Sequence, residues 1–245
     1  MKLCFSGVIV AIVLTAGKLL IISEMRDFFF EIFINFNQLI HKIFCIMKIK
    51  HIITALTLAL SLSINITAQS PATGTINGHK YVDLGLSVKW ATCNIGASKP
   101  EDYSDYFAWG EDETKSTYTQ DNSSTYGKTY YTFRDAAKTK WGGSWRMPTA
   151  DECRELIDNC TWEFTTLGER EGYKVTNKKN GNSIFLPAAG DYDETGLVQA
   201  GEWGDYWSSS PDDRNDFAYC LLFIDDICVQ YDWCYFGKSI RPVAE

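Results

Sequence analysis

The sequence predicts an α+β fold, with two short helices in the first half, a small twisted antiparallel sheet and long loops. Residues 149–160 hold the strongest helix signal. Thr149 and Glu152 are spaced as a capping box, and Cys153, Leu156, Ile157 and Cys160 fall at i, i+3, i+4 and i+7. After this helix, short apolar segments alternate with turn residues, as antiparallel strands do. Residues 98–131 are polar, rich in Ser, Thr, Asp and Tyr, and aperiodic, which reads as a long ordered loop.

The chain has 245 residues, enough for one domain and an extension. Its first 68 residues contain neither Trp nor Tyr. From Met47 to Ala68 the order is Lys48 and Lys50, an apolar stretch, then Ile66-Thr67-Ala68 before Gln69, the layout of a secretory signal peptide. Such a peptide starts at its own methionine, so residues 1–46 are expected to be an over-called start, with Met47 the initiator. The rival reading is a membrane segment at Gly7 to Ser23, which is short for a span and carries Lys18. The next cysteine after the apolar stretch is Cys93, which disfavours a lipid anchor. The product is expected to be exported, to the periplasm, the cell surface or the medium. Residues 69–79 would then be a lead-in and 80–245 a single domain.

Charge and histidine content exclude several function classes. The formal net charge is −8, and after residue 68 there are 17 basic and 28 acidic residues, with no basic run. Nucleic acid is therefore not an expected partner. Only His79 lies beyond the leader, so a three-histidine zinc site is impossible and a histidine-based triad would depend on this one residue. No G-x-S-x-G, P-loop or H-E-x-x-H pattern occurs. All 8 tryptophans and all 13 tyrosines follow the leader, a density common in extracellular β-rich domains and carbohydrate binders.

Taken in order, Tyr81 to Trp90 reads as an extended segment broken by Gly85. Arg134 to Lys140 is a short helix stopped by Gly142-Gly143, and Thr149 opens the second helix. Strands are expected at Trp162–Thr166, Tyr173–Thr176 and Ser183–Pro187, the last two joined through Asn180-Gly181. Residues 190–205 read as a second loop, followed by strands at Tyr206–Ser209, Phe217–Phe223 and Ile227–Tyr231, and by a closing segment at Ser239–Val243. A two-residue turn at Asp225-Asp226 would place Cys228 opposite Phe223, on the other face from Cys220. Six cysteines follow the leader and admit 15 pairings. Cys160, at the helix end, could reach Cys93, which makes that pair the candidate disulfide; the alternative is that most of the six are free and buried.

The segments VDLGLSVKWATCNIGASKPEDYSDYFAWGE (82–111), WGGSWRMPTADECRELID (141–158), NSIFLPAAG (182–190), YWSSS (206–210) and SIRPV (239–243) occur in that order. Together they resemble the Fibrobacter succinogenes major paralogous domain family. The resemblance implies a C-type-lectin-like fold, similar also to the C-terminal domain of the Legionella collagen-like adhesin, on a secreted or surface bacterial protein with no established reaction. It places the ligand on the loop between the central strands, here 190–205. Trp145, Met147, Pro148 and Trp207 read as core and turn, and Arg146 and Arg241 as candidates for buried or semi-buried ion pairs. The Glu-Pro-Asn, Gln-Pro-Asp and Trp-Asn-Asp signatures of calcium-dependent lectins are absent.

The expected function is therefore a binding module for a glycan or a surface protein, without catalysis. The candidate contacts are Trp109 and Glu111 from the first loop and Asp191, Tyr192, Glu202 and Trp203 from the second. Asp191, Asp193 and Glu194 offer hard oxygen ligands for a calcium ion. A structural or adhesion subunit that contacts protein is the main alternative; an enzyme using carboxylates or cysteines is a lesser one.

Overall fold

The computed structural model describes residues 70–224 and 226–245, and the readings of residues 1–46 and 47–68 lie outside them. Every described residue belongs to one compact unit. No helix among the described residues is long and apolar enough to cross a membrane.

The α+β, C-type-lectin-like expectation is overturned: among the described residues strand makes up 38% and helix only 9%, so the fold is β-rich. Strands β1 (Gly74–Ile76), β2 (His79–Val82) and β3 (Lys89–Ala91) precede helices α1 (Ala136–Trp141) and α2 (Ala150–Asn159), so the helices do not lead the domain. Strands β4 (Cys160–Leu167), β5 (Arg170–Asn177), β6 (Ser183–Pro187), β7 (Asp191–Asp193), β8 (Gly196–Val198), β9 (Gly204–Pro211), β10 (Phe217–Phe223), β11 (Ile227–Trp233) and β12 (Val243–Ala244) follow. They form four antiparallel sheets, ordered β1-β2-β3-β12, β11-β10-β9, β4-β5-β6 and β7-β8. Residues 190–205, expected to be a loop, thus contain the β7–β8 hairpin.

Local chemistry explains the helices. Asp135 caps α1 by accepting from the Lys138 amide, and Gly142 and Gly143, at φ +64° and +59°, end it after six residues. In α2 the Thr149 hydroxyl accepts from the Glu152 amide while the Glu152 carboxylate accepts from the Thr149 amide. Arg146 donates to both Glu152 oxygens, at 2.8 and 2.6 Å. The buried face of α2, Cys153 and Leu156, packs on Leu221 and Phe223 of β10. Gly204 sits opposite Phe223, and a Cβ there would fall 1.9 Å from the ring, so no larger residue fits. A bulge in β9 near Ser208–Ser210 lets Ser209 donate to the Pro148 carbonyl and Ser210 accept from the Ala150 amide, which docks the start of α2 on the sheet. On the other face of this sheet a second core forms from Trp207, Ala218 and Cys220 with Phe107 and Trp109 of the long loop and Ala136 of α1.

Three sequence expectations need correction. Cys93 and Cys160 are both free, as are Cys153, Cys220, Cys228 and Cys234; Cys160 is buried at the α2–β4 junction and Cys93 is half-buried. Phe223 pairs with Ile227, so Cys228 lies opposite Leu222 and shares a face with Cys220. Arg241 is 1% exposed and has no carboxylate partner among the described residues. It donates instead to Asn94 Oδ1 at 2.7 Å and to the carbonyls of Ala91, Thr92 and Phe185 at 3.1, 2.9 and 3.0 Å. The carbonyl dipoles of β3, the residue after it, and β6 stand in for the expected acid.

Arg241→Ala removes these bonds and leaves buried carbonyls unsatisfied; it should lower stability by about 3 kcal/mol, read as a shifted urea midpoint at unchanged slope. Burial alone would raise the Glu152 carboxyl, but Arg146 and Thr149 outweigh it and hold the group below its ordinary 4.5. Its contribution is thus present above pH 4.5 and lost as pH falls through the lower folded value. Glu152→Gln should be less stable than wild type by about 1 kcal/mol at neutral pH, and the two should converge on acidification.

Candidate functional site

The structure separates most of the predicted site residues. Trp109 is 3% exposed, and its indole N–H donates to the Ser208 carbonyl at 2.9 Å, a core position. Glu111 is buried, accepts from the Ser124 amide at 2.6 Å and pairs with Lys115 at 2.5 Å, which ties the long loop to itself. Tyr192 is half-buried and packs edge-on against Tyr106, with Tyr118 beside it. Trp203 is half-buried and Glu202 exposed, in the turn after β8.

The calcium set does not assemble. Asp193 accepts from the Thr195 amide and hydroxyl, both at 2.6 Å, at the tip of the β7–β8 hairpin beside exposed Glu194. Asp191 turns inward and meets Asp205 of β9 and Asp232 of β11, with one oxygen of each within 4.8 Å of the others. Lys238, fully buried, places its ammonium among them. It bonds to Asp205 Oδ2, to Asp232 Oδ2 at 2.7 Å and to Asp191 Oδ2 at 3.5 Å. The position a cation would take is already held by Nζ, so these residues do not fit calcium.

This cluster is unusual in its electrostatics. Three carboxylates face one ammonium in an interior walled by Trp207 and Phe236, whose ring centroids lie 5.1 and 5.6 Å from Nζ. Burial pushes the Asp205 carboxyl up to about 6, against the pull of Lys238, and raises Asp191 as well. Burial also disfavours the Lys238 ammonium, but Asp205, Asp232 and Asp191 outweigh it and raise the group above its ordinary value. Among the described residues, buried Asp205 Oδ1 has no hydrogen-bond partner other than the Cys220 thiol close by.

An aromatic strip lies on the outer face of the β9–β10–β11 sheet. Phe217 pairs with Trp233 and Tyr219 with Tyr231, so the four rings share the face that α2 covers further along at Leu221 and Phe223. Here the face is partly exposed, with Arg154 of α2 lying 5.5 Å from the Tyr219 centroid. Tyr231 is 47% exposed, and the other three are half-buried. Ring centroids are 4.1 Å apart for Phe217–Trp233, 5.6 Å for Phe217–Tyr231 and 6.5 Å for Tyr219–Tyr231. The Arg214 guanidinium, held by Asp212, lies 3.9 Å from the Tyr231 centroid and 4.3 Å from that of Phe217. Tyr126 packs edge-on at the Trp233 end.

The sequence carried a signal for this strip, since aromatic residues alternate at 217, 219, 231 and 233. The two-residue turn hid it by setting Tyr231 opposite Cys220, on the wrong face.

A cleft of about 660 Å³ opens beside β2, lined in part by His79, Lys80, Cys93, Glu101 and Trp141. His79 stacks flat on Trp141 at 3.8 Å, and burial lowers its pKa, which keeps the imidazole neutral at pH 7. None of the predicted contacts lines this cleft.

Comparison with protein-family models, with curated proteins and with solved structures finds no match to this chain.

Lys238→Ala leaves three buried or half-buried acids without their countercharge. It should destabilise the domain by about 3–5 kcal/mol, measured by urea unfolding at neutral pH.

Proposed function

We propose that residues 70–245 form a non-catalytic binding module of an exported protein, and that it takes a neutral glycan on the aromatic strip of β10 and β11. The observation that carries this reading is the in-register set of Phe217, Tyr219, Tyr231 and Trp233, partly exposed beside the first turns of α2. Flat aromatic faces stack on the C–H faces of sugar rings, while the Tyr219 and Tyr231 hydroxyls and the Arg214 guanidinium offer polar partners at the rim. The acidic balance of the chain disfavours polyanionic ligands. Export rests on the leader-like segment 47–68 and on the ordered motifs that resemble secreted bacterial domains. The reading moves the ligand from the 190–205 and 98–131 segments to the sheet face, because Trp109, Glu111 and Asp191 are committed to the interior.

The test is an array of neutral oligosaccharides probed with the full chain and with Tyr231→Ala, Trp233→Ala and Trp203→Ala variants. Binding should weaken about tenfold for each strip variant and stay unchanged for Trp203→Ala. Strip variants that bind as wild type does, or a folded protein that binds no glycan, would overturn it. In the second case the same face would be tested against surface proteins.

A further inference from the structure

We propose that Lys238 and Asp205 condense within the folded domain to an intramolecular isopeptide bond between Nζ and Cγ. Backbone pairing presents the two groups to each other. The closing segment bridges Tyr206 of β9 through Ser239, whose amide donates to the Asp205 carbonyl at 3.2 Å. On either side, Lys238 exchanges hydrogen bonds with Phe107 at 3.1 and 3.0 Å, and Gly237 with Tyr192 at 2.7 and 2.8 Å. The lysine stem is thereby clamped from three directions, and its amine is already bonded to Asp205 Oδ2. Holding two reactants in contact this way removes most of the entropic barrier to joining them.

In water an ammonium and a carboxylate do not condense, because both are charged and water competes for the carbonyl carbon. The interior changes both conditions. Lys238 is 0% exposed and Asp205 5%, and the rings of Trp207 and Phe236 exclude solvent. Three carboxylates around one ammonium leave a buried excess of negative charge, and burial raises the proton affinity of the Asp205 carboxyl beside Nζ.

The step balances without an external reagent. One Nζ proton passes along the existing hydrogen bond to Asp205 Oδ2, giving an amine and an acid. The nitrogen lone pair attacks Cγ and forms the C–N bond. A second nitrogen proton moves to the Asp232 carboxylate, which lies 2.7 Å from Nζ, and then to the departing Oδ2 hydroxyl. The Cγ–Oδ2 bond breaks and water leaves past Asp232, whose side chain is 24% exposed. The remaining oxygen, Oδ1, becomes the amide carbonyl. Asp232 is thus the proton relay, and Asp191 helps to hold the lysine. The product links β9 to the closing segment across the β10–β11 hairpin, a cross-link that reduction does not open.

Trypsin digestion of the denatured full chain followed by mass spectrometry decides this. A condensed Lys238 resists cleavage, and the Arg241-Pro242 bond resists trypsin in any case. The expected product is therefore peptide 180–214 joined to 215–245, lighter than their sum by one water. Asp232→Ala, checked for folding by circular dichroism, should accumulate the cross-link at least about tenfold more slowly, as expected for loss of one general acid–base group. Asp205→Asn should give the same linkage with loss of ammonia. Wild-type protein that yields only linear peptides cut after Lys238 would overturn the proposal and reduce the cluster to an ion network. Cross-linking at the wild-type rate in Asp232→Ala would overturn the relay.

Discussion

Two buried cations on one closing segment constrain the rest of the domain. Lys238 and Arg241 lie in the stretch that ends at β12, and both are removed from water. A charge in the interior is tolerated only when its partners are in place, since an unpartnered one costs several kcal/mol. Arg241 therefore requires Asn94 and three carbonyls, drawn from the end of β3, the residue after it, and β6. Lys238 requires acids from β7, β9 and β11. Each sheet contributes to one cation or the other. The closing segment can dock only on sheets that have already formed, which makes the small sheets interdependent.

The same constraint explains why the domain is β-rich. Strands β1, β2, β3 and β12 are two to four residues long and would not persist alone. They hold because β12 pairs with β3 and because Arg146 and Val243 exchange backbone hydrogen bonds at 3.0 and 2.9 Å, partnerships that span most of the domain. The helices are subordinate. The glycine pair after Trp141 and the entry into β4 at Cys160 keep both short, and α2 acts as a lid over part of one sheet face. Beside the first turns of that lid the face is aromatic and partly exposed.

Legibility in the sequence followed the range of the interaction. The capping box of Thr149 and Glu152, the amphipathic spacing of α2 and the Asn180-Gly181 turn are local, and each stands where sequence reasoning put it. The polar stretch at 98–131 contains no helix and only one isolated bridge, at Phe107. The β10–β11 register was not legible, because pairing Phe223 with Ile227 rather than with Cys228 changes no residue type yet moves Tyr231 and Trp233 to the opposite face. The role of Asp191 was equally hidden. In the sequence it belongs with Asp193 and Glu194, but in space it belongs with Asp205, Asp232 and Lys238.

The sequence by itself therefore determined the two helices and most of the short strands, which depend on neighbours within a few residues. Only the tertiary structure decided that strands dominate, that the six described cysteines stand unpaired, that Arg241 rests on carbonyls, and that Asp191 leaves the foreseen calcium set to meet Asp205, Asp232 and Lys238. These depend on which distant strands meet and in what register. Burial, which sets both the strength of a charge pair and the proton affinity of an acid, exists only once they have met.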